Sequence, residues 1–121
     1  MRLLLVFALS LLSASSFAEP TTFYCEYDRV ASPEGVEDVD NFILTFVVDD
    51  EAGKYYMVGN NGTSKVSPIF TGEHVTFVEI TAMKNVMTTT ITNNGNSVHS
   101  RNTVLFGDLV ATQYYGTCET R

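Results

Sequence analysis

The sequence predicts an all-β domain: an antiparallel meander of about eight short strands, forming a small up-and-down barrel or a two-sheet sandwich closed by one disulfide. Three observations carry that expectation. Short runs of alternating, β-branched and aromatic residues recur along the chain, separated by Asn-Gly, Gly-Asp and acidic, Gly-containing turn sequences. No stretch has sustained helical periodicity with capping residues. The two cysteines, Cys25 and Cys118, stand near opposite ends of the segment expected to fold.

Residues 1–18 read as a secretory signal rather than as structure. Arg2 supplies a basic start, Leu3 to Leu12 is almost wholly apolar, and Ser16-Phe17-Ala18 fits a small-x-small cleavage site. The apolar run is too short for a permanent transmembrane helix. Cleavage after Ala18 leaves a single β domain, residues 19–121, with six Lys and Arg against 14 Asp and Glu, a net charge of −8. Such a surface repels nucleic acid and anionic membrane. The expected location is periplasmic or secreted, an oxidising compartment in which Cys25 and Cys118 pair. Closing a loop that long contributes roughly 4–5 kcal/mol in the chain-entropy picture.

In chain order, Thr21–Val30 reads as the first strand, with Phe23, Cys25 and Tyr27 on one side and Tyr24 and Glu26 on the other. Residues 31–40 read as an acidic loop around Pro33 and Gly35. Asn41–Val48 is the clearest core strand, aligning Phe42, Leu44, Phe46 and Val48. Asp49 to Gly53 turns the chain into Lys54–Gly59. A two-residue Asn61-Gly62 turn then pairs Met57 with Val66 and Tyr56 with Ser67. Pro68 marks Ser64–Phe70 as an edge strand or one ending at a bulge. His74–Thr81 follows Thr71-Gly72-Glu73, and Met83-Lys84-Asn85 leads into the last meander.

That meander runs from Val86 to Cys118. Asn94-Gly95 as a type I′ turn pairs Ile91 with Val98 and Thr90 with His99. One face then collects Met87, Thr89, Ile91, Val98, Ser100, Asn102 and Val104. The other collects Thr88, Thr90, Thr92, Ser97, His99, Arg101 and Thr103. A Gly107-Asp108 turn places Arg101 opposite Tyr114 and puts Cys118 on the His99/Arg101 face. A structural cystine usually packs inward, so this register requires either a bulge near Gly107 or a disulfide at the rim.

Thr88, Thr90, His99, Arg101 and Tyr114 form the best binding candidate. Hydroxyls, an imidazole and a guanidinium on one patch suit a carboxylate, a phosphate or a sugar acid. The simpler reading is a solvent-facing wall on which Thr serves strand propensity. A His99–Ser100 nucleophile is disfavoured because neighbours along a strand point to opposite faces and no GxSxG elbow is present. Asp49, Asp50 and Glu51 lack the spacing of a calcium loop. The count and spacing of cysteines exclude a CxxC redox motif and a zinc site. Met57, Met83 and Met87 read as core filler, and Asn61-Gly62-Thr63 has the form of a glycosylation sequon. No catalytic residue, metal or cofactor is expected.

Residues His99, Ser100 and Asn102 (with Arg101 one place earlier than the pattern HS-x-[RH] has it), then Gly107, then Tyr115-Gly116-Thr117-Cys118, resemble the ending of small exported bacterial β-domain proteins with a terminal YGTC strand. The resemblance implies export and no particular activity. The expectation is therefore a monomeric, non-catalytic, exported β-domain acting as a protein-interaction or envelope-associated module, with no nucleic-acid partner and no membrane after signal cleavage. The alternative is a barrel binding a small anionic or apolar molecule in a cavity lined by Tyr55, Phe77 and Tyr114.

Overall fold

The computed structural model describes residues 19–121, so the expected signal segment, 1–18, lies outside the described residues. Nine antiparallel strands follow in order: β1 (Thr21–Ser32), β2 (Gly35–Asp49), β3 (Lys54–Gly59), β4 (Gly62–Lys65), β5 (Ser67–Phe70), β6 (His74–Ile80), β7 (Val86–Thr92), β8 (Asn96–Leu105) and β9 (Asp108–Thr120). They form one sheet in the order β4-β3-β2-β1-β9-β8-β7-β6-β5. Its two outermost strands are consecutive in the chain, separated by Val66 alone, whose N–H donates to the Tyr55 carbonyl at 3.1 Å. One extended segment thus pairs first with β3 and then with β6. The sheet is a nearly closed up-and-down barrel, and residues 62–70 are its seam rather than a free edge.

Alternation decides what fills it. Cys25, Tyr27, Leu44, Phe46, Val48, Met57, Val66, Val75, Phe77 and Ile91 form the buried core. Phe46 and Phe77 stack at 4.5 Å between centroids across the interior. The outward positions include Glu26, Thr76, Thr88, Thr90, Ser100 and Thr117, none of them buried. The interior is apolar, while the outer wall mixes these polar residues with exposed Val58, Ile69, Ile80 and Val86.

Cys25 and Cys118 are direct partners across the β1–β9 junction, with Cα atoms 4.0 Å apart, and the disulfide joins them. It ties the first and last ribbons where the meander meets itself. The adjoining Gly116 admits no side chain, because a Cβ there would strike the Glu26 carbonyl and the Tyr27 Cα. The cause is a bulge in β1 at Asp28, between the Tyr27–Gly116 and Arg29–Tyr115 pairs, which leans the strand onto β9.

Three expectations are corrected. The acidic stretch 31–40 is no loop: β1 and β2 continue through it as a ribbon pairing Arg29 with Asp38 and Ala31 with Val36, turning only at Pro33-Glu34. The β3–β4 turn is Asn60-Asn61, so Met57 faces Ser64 rather than Val66. A slip of two positions leaves each side chain on its expected face.

Asn93, Asn94 and Gly95 form a three-residue loop, closed by the Gly95 N–H donating to the Thr92 carbonyl at 2.9 Å, with Gly95 at φ +87°. The register therefore moves by one: His99 faces Thr89, not Thr90, and Ile91 faces Ser97. At the next hairpin Phe106-Gly107 is the turn, so Tyr114 faces His99 and Arg101 faces Thr112. The His99/Arg101 face is the interior. Cys118 packs inward with it, and neither a bulge at Gly107 nor a rim disulfide is needed.

Candidate binding recess at the barrel rim

Two rows of inward residues build the site. The first crosses the barrel as Phe77, Thr89, His99, Tyr114 and Val30, each the registered partner of the next. The second, one step nearer the rim, is Glu79, Met87, Arg101 and Thr112. Above them lies a recess of about 250 Å³, bordered by Phe42, Leu44, Met57, Ser64, Glu79, Met87 and Arg101 and by the Asn60-Asn61 turn.

The floor is aromatic. Phe42 and Tyr114 stack at 4.3 Å with their planes 8° apart, and the Arg101 guanidinium carbon stands 5.8 Å from each ring centroid. This is cation–π geometry, which holds a guanidinium without using its hydrogen-bond donors. His99 lies below, 1% exposed, with Nδ1 2.6 Å from the Thr89 hydroxyl and its ring tilted against Tyr27, Phe42 and Tyr114. Burial, and secondarily the Arg101 charge, lowers its pKa to about 4. The imidazole is neutral at physiological pH. Tyr27, bonded through its hydroxyl to Ser97 at 2.9 Å, is pushed up to about 12 by burial.

Three buried polar atoms have no partner among the described residues: Glu79 Oε2, His99 Nε2 and Arg101 Nε. All belong to these two rows. Buried groups of this kind cost about 1–3 kcal/mol each when nothing bonds them, and native interiors contain few. Two of these residues, Glu79 and Arg101, line the recess, and His99 lies in the row beneath it. The hollow at the opposite end is larger, about 480 Å³. There His74 bonds Thr71 and the Asn93 amide donates to the Gly72 carbonyl at 2.9 Å, so its polar groups satisfy one another. A third depression, on the outer wall over the β1 bulge, contains none of the unpartnered atoms.

Of the five residues singled out in the sequence, the structure brings His99, Arg101 and Tyr114 together inside. Thr88 and Thr90 are on the outer wall, where Thr90 bonds Thr76 between hydroxyls at 2.9 Å. The one-residue register shift separates them, since it exchanges the faces of β7 relative to β8. Tyr55 and Phe77 do face inward, packed on or in the core. Glu79, Met87 and Thr89 take the places assigned to the two threonines. Glu79 was detectable in principle: it is an acid in phase with Val75 and Phe77 on an alternating strand.

Comparisons of the chain with family models, curated proteins and solved structures give no match, and the recess has to be read from its own geometry.

Proposed function

We propose that this protein is an exported, non-catalytic barrel that binds a small ligand in the recess at its rim. The observation that carries the reading is that Glu79 and Arg101, each with an unpartnered buried polar atom, line one recess. A ligand, or water in its absence, completes their hydrogen bonding. Export is supported by the cystine and by the apolar leader read from the sequence. The net charge of −8 expected after signal removal disfavours nucleic acid and anionic lipid as partners. A thermal-shift screen of small anionic, cationic, dipolar and apolar compounds tests the reading. A ligand at a hundred times its Kd stabilises by about 2.7 kcal/mol, a rise of several degrees for a domain this size. No rise with any class, or rises unaffected by Glu79→Gln and Arg101→Gln, rejects it.

A second reading, protein interaction, is favoured by a different feature. Beyond the Val86–Asn102 pair the β8–β9 ribbon runs on with Val104, Leu105, Leu109 and Val110 exposed. Phe106 at its tip is fully exposed at φ +52°. A bulky residue held in the left-handed region costs about 1–2 kcal/mol, and an exposed apolar tip brings no folding gain in return. The expected outcome is that Phe106→Asn raises stability by about 1 kcal/mol yet weakens the protein's interaction. A photo-crosslinker at position 106 in the exporting cell should give a discrete product with one other protein, lost on substituting Leu109. Absence of any product removes this reading.

A further inference from the structure

The recess is small and its two charged walls are not joined to each other. Glu79 and Arg101 flank Met87 on β6 and β8, two strand spacings or about 9.5 Å apart along the sheet. No hydrogen bond or ion pair links them. Each keeps a buried polar atom unpartnered: a carboxylate oxygen, which accepts, and a guanidinium N–H, which donates. Glu79 is 8% exposed, so water outside the barrel does little to solvate it.

We infer that the recess selects a dipolar ligand of amino-acid size, one that presents an anionic group to Arg101 and an ammonium group to Glu79. This rests on the ligand-binding reading above and specifies its substrate class. A purely anionic compound satisfies Arg101 but sets its charge against Glu79. A purely cationic one does the reverse, and an apolar one leaves both polar atoms orphaned. Only a molecule carrying both signs offers a partner to each of the two side chains at once. Size narrows the class further. At about 30 Å³ for each water's share of liquid volume, 250 Å³ equals roughly eight waters, below the usual 300–1,000 Å³ of drug-sized sites. Phe42, Leu44 and Met57 form an apolar part of the lining that receives a hydrocarbon side chain, opposite the polar Asn60-Asn61 turn and Ser64.

Two matched trios test this on the purified, disulfide-closed protein: L-leucine with 4-methylpentanoate and 3-methylbutylamine, and L-phenylalanine with 3-phenylpropionate and phenethylamine. Each trio holds the side chain constant and removes one charge at a time. Binding is read from the ¹³C methyl signals of Met57 and Met87, which border the recess, with Met83, exposed on the β6–β7 loop, as internal control. At least one amino acid should bind ten-fold or more tighter than both of its singly charged analogues, moving Met57 and Met87 but not Met83. Glu79→Gln and Arg101→Gln should each remove that ten-fold preference. If either variant fails to fold, the other variant and the wild-type trios decide. An analogue that binds as tightly as its amino acid overturns the dipolar class while leaving ligand binding intact. If neither amino acid moves the two methyls, the inference fails, and the broad thermal-shift screen separately decides whether the recess binds anything else.

Discussion

His99 illustrates how one side chain ties the fold to solution conditions. In an unfolded chain an imidazole titrates near 6.5; here burial, then the Arg101 charge, holds it at about 4. Between those values the unfolded chain binds a proton that the folded chain excludes. Stability from this group is therefore complete above pH 6.5, falls as the pH drops, and is gone by about pH 4. The loss is on the order of 3 kcal/mol. Unfolding of wild type and His99→Gln at pH 7.5 and 4.5 isolates it, because contributions from the many carboxylates are common to both. The wild type should lose more stability on acidification by roughly that amount, and equal losses would contradict the assignment. The sequence marked His99, Arg101 and Tyr114 as a group because alternation and the parity of the Gly107 turn place them on one face. It did not mark that face as the inside, since a Thr-rich wall and a core row carrying His and Arg look alike when polarity is the only guide.

At the scale of single elements, the strands were legible and the registers were not. Phe42 to Val48 announces a core strand through four apolar residues at a spacing of two, whatever surrounds it. The sequence Asn93-Asn94-Gly95, by contrast, serves a two-residue and a three-residue loop about equally well. Closure of the barrel chooses between them. The Gly95 carbonyl accepts from the Cys118 N–H at 2.7 Å, and Asn93 bonds the β5–β6 turn through its own N–H to Glu73 and its amide to Gly72. Those contacts are tertiary and leave no trace in local turn preference. Deleting Asn93 tests which side sets the register. It leaves Asn94-Gly95 as a two-residue turn between Thr92 and Asn96, so β7 and β8 keep their pairing. The variant should fold and oxidise normally while losing about 1–2 kcal/mol with the two hydrogen bonds. A variant that no longer formed its disulfide would show that the loop, not the barrel, determines the pairing.

For the whole molecule, the cystine joins ribbons that are neighbours in space and 93 residues apart in sequence. The expectation from the sequence was sound here because two cysteines in an oxidising setting admit one connectivity. Barrel closure was less visible: Pro68 suggested an edge, whereas the chain passes through Val66 from β4, paired with β3, to β5, paired with β6, with little room for a free edge. Replacing both cysteines with serine should lower stability by about 4–5 kcal/mol, seen as a large shift in the urea midpoint with a steeper slope, because the unfolded chain without its cross-link exposes more surface. A shift below about 1 kcal/mol would mean that the reduced chain already keeps its termini together.

The stacked Phe46 and Phe77 rings cross the middle of the interior, with the rim recess on one side and the larger hollow on the other. They divide the barrel into two blind compartments instead of a through-passage. Under the ligand-binding proposal, a molecule entering the rim recess therefore leaves by the mouth it entered, and the two ends of the barrel are independent of each other.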